Sequence, residues 1–241
     1  MSIPLFFTEE TADQGNLIQL PEDTARHVSG VLRMREGEMV KLTSGKGDLA
    51  IATIVESSKR SCVVKINSLQ IQEAPQNKIC IAVSLLKNTS RFEWLLEKCA
   101  ELGIEKIQPV LCKRTEKQQF KRSRFESILK SAMLQSQQQW LTELSDPVNI
   151  NLLITDGGNG FANKFIAHCE PGQKFMLNEN KIFRETKSST IILIGPEGDF
   201  TQEEIQLALQ HSFNPVALGN TRLRTETAAV VAATLLKSAR W

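Results

Sequence analysis

The chain has 241 residues, of which 41% are hydrophobic and 23% are charged, a composition that excludes a disordered protein and allows one large or two small domains. Its net charge of +2 at pH 7 is too small to indicate a general polyanion-binding protein. No apolar run approaches the ~20 residues of a membrane-spanning helix, and the first residues lack the basic flank of a signal peptide, so we expect neither.

The N-terminal part of the chain, residues 1–72, is predicted to be rich in β-structure. Short runs dense in Val, Ile and Leu predict strands at Glu38–Thr43, Leu49–Val55 and Ser61–Ile66. A proline followed by two acidic residues marks the start of one helix, Glu22–Leu32. We therefore expect a small β-barrel with one helix.

A polar stretch around Glu73–Gln76 marks the boundary to a second domain, residues 73–241, in which strands and helices alternate. The predicted strands are Ile79–Leu85, Ile107–Cys112, Ile150–Thr155, Lys174–Leu177, Thr190–Ile194 and Pro215–Leu218. The predicted helices are Thr89–Leu102, Phe120–Gln137, Phe161–His168, Gln202–Gln210 and Glu226–Lys237. This alternation indicates an α/β domain with a parallel sheet covered on both faces.

The cysteines and histidines argue against disulfides and metal sites. The five cysteines are scattered and form no C-x-x-C pair, which favours free thiols in a reducing cytoplasm. The three histidines, His27, His168 and His211, lie far apart and lack H-x-x-x-H spacing, so no metal site is expected.

The most informative loop follows the apolar strand that ends at Ile194. Gly195 and Gly198 permit close approach of a ligand to the backbone, and Thr201 with Glu204 matches the capping box that opens a helix. In open α/β sheets, ligands bind at the carboxyl ends of the strands, so this loop is a candidate binding site. A plain strand-to-helix connection explains this loop alone equally well.

A second glycine loop, Leu218–Thr227, follows the next strand and opens a helix that is apolar nearly all round. Two such loops can line one pocket with backbone N–H and C=O groups, which suit a purine edge and a ribose. The polar cluster Arg224–Thr227 at the mouth of the helix is costly to bury unless its groups are paired. A helix start with a local Arg–Glu pair is the alternative interpretation.

Basic residues form two candidate RNA-binding patches. The segment Lys113–Arg124 contains six Lys or Arg and one Glu, a local net charge of +5 that suits RNA phosphates beside a ligand pocket. The first domain contributes a smaller patch around His27. The candidate RNA-binding residues are Arg26, His27, Arg33, Lys87, Arg91, Arg114, Lys121, Arg122 and Arg124. An ordinary solvated surface is the alternative for both patches.

Together these motifs resemble the ribosomal small-subunit RNA uridine-N3 methyltransferases, a branch of the SPOUT class. The resemblance runs in order from about Ile3 to Leu236. The matching stretches are His27–Met34, Leu86–Lys87, Arg91–Glu93, Lys98–Ile104, Ile194–Gly198 and Leu223–Ala228. The last two stretches are specific as a pair.

The resemblance implies both a fold and an activity. The implied fold is a small PUA-like β-barrel followed by a SPOUT domain, a parallel sheet with a deep trefoil knot. The implied activity is methyl transfer from S-adenosylmethionine to N3 of a uridine in 16S ribosomal RNA, with the small ribosomal subunit as partner. The implied protein is a cytoplasmic homodimer that requires neither a metal nor a membrane.

Roles for individual residues follow from motif position and from chemistry. Arg224 would orient a phosphate or a uracil oxygen, and Glu197 or Glu226 would accept the N3 proton. Leu177 is included in the cofactor site because it ends a strand before a polar loop. The candidate cofactor-binding residues are Leu177, Ile194, Gly195, Pro196, Glu197, Gly198, Leu218, Gly219, Leu223, Arg224, Thr225, Thr227 and Ala228.

Departures from the family pattern leave other functions open. Leu134 and Gln138 stand where the family often has Glu and Arg, and Asp199 stands where a third glycine is common. The alternatives are another SPOUT enzyme, acting on a ribose 2′-hydroxyl or on transfer RNA, or a non-catalytic RNA-binding ribosome-assembly factor. The absence of G-x-G-x-x-G leaves little support for a nicotinamide-dependent oxidoreductase.

Overall fold

The structure, a computed structural model, describes residues 3–9, 15–58, 60–116, 119–177 and 188–239. The chain forms two compact units. The first unit extends to Ala74 and also includes Met133–Leu141, whereas the second unit comprises Pro75–Ala132 and the residues from Thr142 onward.

The first unit is built on a five-stranded sheet in the order β1-β3-β4-β5-β2. Its strands are β1 (Leu5–Phe7), β2 (Leu17–Gln19), β3 (Met39–Thr43), β4 (Asp48–Ser57) and β5 (Cys62–Ile71). β1 pairs with β3 in parallel, and the other pairs are antiparallel. Along β4, buried residues alternate with partly exposed ones, so Ala50, Ala52 and Ile54 all point into the core of this unit.

The helix predicted at Glu22–Leu32 is present but changes its winding part of the way along. An α-helix, α1 (Glu22–Arg26), continues as a π-helical turn, His27–Val31. In this wider turn the Leu32 N–H donates to the carbonyl of His27, five residues earlier. Ala25 and Val28 are fully buried, so the helix covers the core of the sheet.

The segment Met133–Leu141 contributes Trp140 to the first unit. The N–H of Gly47 donates to Gln139 O at 2.9 Å, and the N–H of Leu141 donates to Gly45 O at 2.9 Å. The indole ring lies so close to Gly47 that a Cβ atom there would be 2.3 Å from its Cζ2 atom. Gly47 is therefore required by the close approach of the indole as well as by its own φ of +90°.

The second unit contains an eight-stranded sheet whose strand pairs are all parallel. Its order is β11-β13-β10-β12-β6-β7-β8, with β9 also paired to β7. The strands are β6 (Ile79–Ser84), β7 (Lys106–Leu111), β8 (Glu143–Leu144), β9 (Val148–Asn149), β10 (Asn163–Ala167), β11 (Phe175–Met176), β12 (Thr190–Ile194) and β13 (Asn214–Ala217). The prediction of a parallel α/β sheet is confirmed.

Helices connect these strands. They are α2 (Thr89–Glu101), α3 (Arg122–Gln135), α4 (Ile150–Thr155), the 3₁₀ turn Gly157–Gly160, α5 (Gln202–Gln210) and α6 (Thr225–Ser238). The apolar helix α6 packs against α2 and β6. Side chains from the central strands and from α4 and α5 form one buried core.

Two of the sequence predictions in this unit are wrong. Ile150–Thr155, predicted as a strand, is α4, because the Asn149 side chain caps it by accepting the Asn151 N–H at 2.9 Å. Phe161–His168, predicted as a helix, contains the strand β10, whose Phe165 and Ile166 are buried between two neighbouring strands. Periodicity cannot decide such short apolar runs.

The register of three adjacent strands brings their carboxyl ends to one level. Ala167 of β10 lies opposite Ile194 of β12 on one side and opposite Val216 of β13 on the other. The loops that follow these strands are named here the β10 loop (residues 168–174), the β12 loop (residues 195–201) and the β13 loop (residues 218–224). They leave the sheet side by side.

Candidate functional site

The three loops enclose a cavity of about 790 Å³ at the carboxyl edge of the sheet. That volume lies within the range of small-molecule sites in proteins. The cavity is lined by strand ends, by loop residues and by the start of α6. These residues are Arg91, Ala167, His168, Cys169, Lys174, Ile194, Gly195, Pro196, Glu197, Asp199, Val216, Ala217, Leu218, Gly219, Asn220, Thr221, Arg222, Leu223, Arg224, Thr225 and Ala228.

The β12 loop is held firmly at both ends. A Cβ atom on Gly195 would lie 3.1 Å from the Phe200 ring, so the absence of a side chain lets the chain turn closely back on itself. Beyond the loop, Thr201 caps α5, and its N–H donates to the Glu204 carboxylate at 2.8 Å. The predicted capping box is therefore present.

Arg114, predicted to bind RNA, holds the β12 loop. Its guanidinium Nη1 donates to the carbonyl of Gly198 at 2.7 Å and to that of Phe200 at 3.1 Å. Charge-assisted bonds of this kind are stronger than neutral ones. Arg114 thus stabilises the wall of the cavity through the backbone of the loop.

Glu197 presents an exposed carboxylate to the cavity. Its Oε1 atom accepts the N–H of Lys87, at 3.2 Å, while the Lys87 ammonium pairs with Glu116 at 2.7 Å. A backbone N–H thus orients the carboxylate. A carboxylate held on a cavity wall can accept a proton from a bound ligand.

Glu226 is buried at the start of α6 and lies behind the cavity wall. Its Oε1 atom is 3.7 Å from the Nε of Arg91, which lines the cavity. Its Oε2 atom is buried and finds no hydrogen-bond partner among the described residues. The Arg–Glu pair at the helix start therefore joins Glu226 to α2, which differs from the local pair considered from the sequence.

Arg224 is exposed on the cavity wall immediately before α6. Within the part of the chain that the structure describes, its guanidinium has no carboxylate partner within 4.0 Å. A cation of this kind is available to an anionic or carbonyl oxygen of a ligand.

His168 follows β10 and was not singled out from the sequence as a site residue. Its Nδ1 atom is buried and has no hydrogen-bond partner among the described residues. Burial, reinforced by the nearby Lys174 ammonium, lowers the pKa of His168 below its ordinary value. Burial therefore favours the neutral imidazole, whose Nδ1 is shielded from solvent.

Most of the predicted cofactor-binding residues line this one cavity. Those that do are Ile194, Gly195, Pro196, Glu197, Leu218, Gly219, Leu223, Arg224, Thr225 and Ala228. Gly198 and Thr227 lie next to lining residues, and Leu177 is buried directly after β11. The polar loop predicted to follow Leu177, residues 178–180, lies outside the described residues.

Several of the predicted RNA-binding residues already have protein partners. Arg26, Lys87, Arg91, Arg122 and Arg124 each pair with a carboxylate. Apart from the pair of Arg91, whose partner Glu226 is buried, these pairs lie largely at the surface, where an ion pair contributes little free energy and can open to a phosphate. His27 packs edge-on against Phe6, Arg33 adopts a φ of +55°, and Lys121 is exposed. RNA binding by these residues stays a prediction.

The end of β10 and the β10 loop supply site residues that the sequence interpretation missed. Ala167, His168, Cys169 and Lys174 all line the cavity. The prediction of a helix over Phe161–His168 hid them, because a helix there would not end at the binding edge of the sheet. The Pro171-Gly172 pair, a common turn signal, could have indicated a loop after a strand.

Neither a metal centre nor a membrane span is seen in the described part of the chain. No three or more of its His, Cys, Asp and Glu side chains are grouped so as to hold a metal ion. No helix there has both the length and the apolar character to cross a bilayer.

Models of two protein families match the chain. The RNA methyltransferase domain matches residues 72–237, and the RNA methyltransferase PUA domain matches residues 20–67. The N-terminal unit is thus PUA-like, as predicted.

Individual proteins match over nearly their whole length. The ribosomal RNA small subunit methyltransferase E of Mesomycoplasma hyopneumoniae is 29% identical over 230 residues, covering 93% of this chain and 95% of the relative. A crystal structure of the probable rRNA-methyltransferase from Porphyromonas gingivalis is 32% identical with a TM-score of 0.85, covering 96% of each chain. The ribosomal RNA small subunit methyltransferase E of Neisseria gonorrhoeae, bound to S-adenosyl methionine, is 26% identical with a TM-score of 0.84, covering 98% of each chain.

Proposed function

Because the chain belongs to the RNA methyltransferase family, we propose that it transfers the methyl group of S-adenosylmethionine to N3 of a uridine in 16S ribosomal RNA. The observation that carries this proposal is the single cavity to which both glycine loops contribute, with Glu197 and Arg224 on its wall. The family predicted from the motifs is confirmed.

The cavity suits S-adenosylmethionine in size and in chemistry. Its volume of about 790 Å³ leaves room for the cofactor and for a base beside it. Gly195, Leu218 and Gly219 of the two glycine loops line it, and backbone groups there suit a purine edge and a ribose. When bound, the cofactor supplies a methyl group already activated by its sulfonium, so the chain needs only to align the reactants.

Two side chains on the cavity wall act on the nucleophile, which is N3 of the uridine. Uridine N3 carries a proton, and in our proposal the Glu197 carboxylate accepts it. The Arg224 guanidinium stabilises the negative charge that develops on the uracil oxygens. Glu226 acts through Arg91, whose guanidinium it holds at the cavity edge. N3 lies on the Watson–Crick edge, so the uridine must be unpaired or turned out of a helix.

We further propose that residues 1–72 form a PUA-like β-barrel for RNA recognition and that residues 73–241 form a SPOUT domain with a trefoil knot. The sheet order supports the knot. β13 pairs between β10 and β11, two strands that precede it in the chain and are joined directly by the β10 loop. To pair between β10 and β11, the later strand β13 must be threaded past the loop that already joins them. Threading of this kind makes a knot, and ordinary folds avoid it.

We also propose a cytoplasmic homodimer. The very apolar helix α6 supports a second copy as partner, because Val230, Val231 and Leu235 stay only partly buried in one chain. Sedimentation at micromolar concentration is expected to give the mass of a dimer. A monomer at that concentration would exclude a site shared between two copies.

The reaction is tested by nucleoside mass spectrometry of 16S RNA. Small subunits that lack the modification are incubated with the protein and S-adenosylmethionine, and 3-methyluridine is expected at one site. A methylated ribose, or methylated transfer RNA in a parallel assay, would indicate another SPOUT activity. No methylated nucleoside, with an active control enzyme alongside, would indicate an assembly factor.

Cys169 provides a direct test of where the cofactor binds. Of the five thiols, it alone is exposed, and it lines the cavity. Burial raises the pKa of Cys80, Cys99 and Cys112 to about 12 and that of Cys62 in the same direction, so these thiols react slowly. We expect S-adenosylmethionine at ten times its dissociation constant to slow alkylation of Cys169 roughly tenfold, measured by mass spectrometry.

The control for that labelling is Cys169→Ser, which should take up almost no reagent in the folded state. Alkylation of Cys169 at the same rate with and without cofactor, when calorimetry shows binding, would place the cofactor away from the β10 loop.

A further inference from the structure

Asp199 has an unusual backbone conformation at the cavity wall. Its φ is +62°, in the left-handed region that favours glycine. Three other non-glycine residues of the described chain have positive φ, namely Arg33, Gln137 and Ser212, and none of them lines the cavity. A strained conformation is kept when its surroundings fix it, so the contacts of Asp199 indicate what it does.

The Asp199 carboxylate connects two loops. Its Oδ1 atom accepts the N–H of Phe200 at 2.8 Å, within the β12 loop. Its Oδ2 atom accepts the N–H of Cys169 at 2.7 Å, in the β10 loop. A glycine would adopt the same φ without strain but could make neither bond.

Lys174 holds the same stretch of backbone from the other side. Its ammonium donates to the carbonyl of His168 at 2.7 Å and to that of Glu170 at 2.6 Å. The Asp199 carboxylate thus accepts the N–H of Cys169, and the Lys174 ammonium donates to the carbonyls of the residues before and after it, His168 and Glu170. These are charge-assisted bonds, which fix geometry more strongly than neutral ones.

The segment His168–Glu170, which these bonds hold, forms the middle wall of the cavity. β10 lies between β12 and β13 in the sheet, so its loop faces whatever occupies the space between the other two loops. The same stretch includes His168 and Cys169, which both line the cavity. A wall that is already ordered spares the ligand the entropic cost of ordering it.

We infer that Asp199 and Lys174 are positioning residues that hold His168–Glu170 in its cofactor-binding conformation before S-adenosylmethionine arrives. The inference rests on the proposed function for the identity of the ligand. Neither side chain takes part in methyl transfer, so each acts on the affinity for the cofactor.

The main test is Asp199→Gly, which keeps the backbone conformation and removes both carboxylate bonds, the one to Cys169 and the one to Phe200. Calorimetry is expected to show about tenfold weaker binding of S-adenosylmethionine, the loss that corresponds to the one charge-assisted hydrogen bond that reaches the β10 loop. The thermal midpoint and the KM for the RNA substrate should stay at their wild-type values. Hydrogen exchange at the Cys169 amide should accelerate, since its acceptor is gone.

Two further variants at left-handed positions complete the comparison. Ser212→Gly relieves a φ of +66° in an exposed turn that is not part of the cavity lining, so it controls for added glycine flexibility and should bind cofactor normally. Asp199→Asn tolerates the same φ and keeps one acceptor oxygen, so it should restore most of the affinity.

Lys174 is tested together with Asp199. Lys174→Met should weaken cofactor binding in the same direction. Because both side chains hold one backbone segment, the double variant should lose less affinity than the two single losses predict when added. Full additivity would show that the two side chains act independently and would overturn the shared role.

Cofactor binding by the wild-type protein and by Asp199→Gly tests the proposed function and the positioning role separately. Wild-type protein that binds no S-adenosylmethionine would overturn the proposed function and the cofactor role with it. Wild-type binding combined with an Asp199→Gly affinity within twofold of it would overturn the inference alone, as would unchanged exchange at the Cys169 amide.

Discussion

Replacing Glu197 with Gln is expected to lower kcat for methyl transfer about 100- to 10,000-fold, the range for loss of a general base. Gln keeps an oxygen for the N–H of Lys87, 3.2 Å from Oε1 in the wild-type protein, so the side chain should stay in place. It cannot take a proton, and uridine N3 is a poor nucleophile until its proton leaves. The affinity for S-adenosylmethionine should change little.

Single-turnover methylation of unmodified small subunits measures this effect. The matched control is Glu116→Gln, because Glu116 is also exposed beside Lys87 but does not line the cavity. It should leave the rate within about twofold of wild type, as expected for an exposed ion pair. If Glu197→Gln and Arg224→Ala both keep normal transfer and cofactor affinity, the roles assigned to these two residues are wrong.

Gly47→Ala is expected to destabilise the first unit by about 2–5 kcal/mol. An alanine at a φ of +90° costs about 1–2 kcal/mol, because its Cβ meets the backbone. The same Cβ would lie 2.3 Å from the Trp140 ring and 2.7 Å from the carbonyl of Gln72, and overpacking of this kind adds about 1–3 kcal/mol. Urea unfolding followed by tryptophan fluorescence measures the loss, since Trp140 reports on this contact.

Gly37→Ala provides the matched control. Gly37 has a φ of +89° and no atom within 4 Å of the position of its Cβ, so it isolates the backbone cost from the clash. It should lose only about 1–2 kcal/mol. Equal losses in the two variants would show that Trp140 moves aside freely and that its contact with Gly47 does not constrain the unit.

The sequence was most informative where a structure depends on neighbouring residues in the chain. The capping box of Thr201 and Glu204, the buried strand before Gly195 and the apolar helix α6 are all local patterns, and each is present in the structure. The same patterns led to both glycine loops, which do line one cavity.

Short apolar segments were less informative, because their type depends on what surrounds them. Asn163–Ala167 is a strand since it lies between β12 and β13, and neither neighbour can be read from those five residues. The consequence for the site was large, because a helix in that place removes His168 and Cys169 from the binding edge.

Individual side-chain contacts between distant parts of the chain could not be predicted. The Asp199 bond to Cys169 and the Arg91 pair with Glu226 each join segments that only the strand order and helix packing bring together. A sequence shows which residues carry charge, but the partners of those charges follow from the three-dimensional arrangement.

The position of β13 between β10 and β11 also sets the order in which the site can be assembled during synthesis. The β10 and β12 loops leave the ribosome first, yet the cavity still lacks the wall that Leu218, Gly219 and Thr225 provide. Pairings that join distant segments form slowly, because the intervening chain must first be brought together. We therefore expect cofactor affinity to be acquired late, so that a nascent chain that has not yet added α6 neither sequesters S-adenosylmethionine nor modifies the RNA around it.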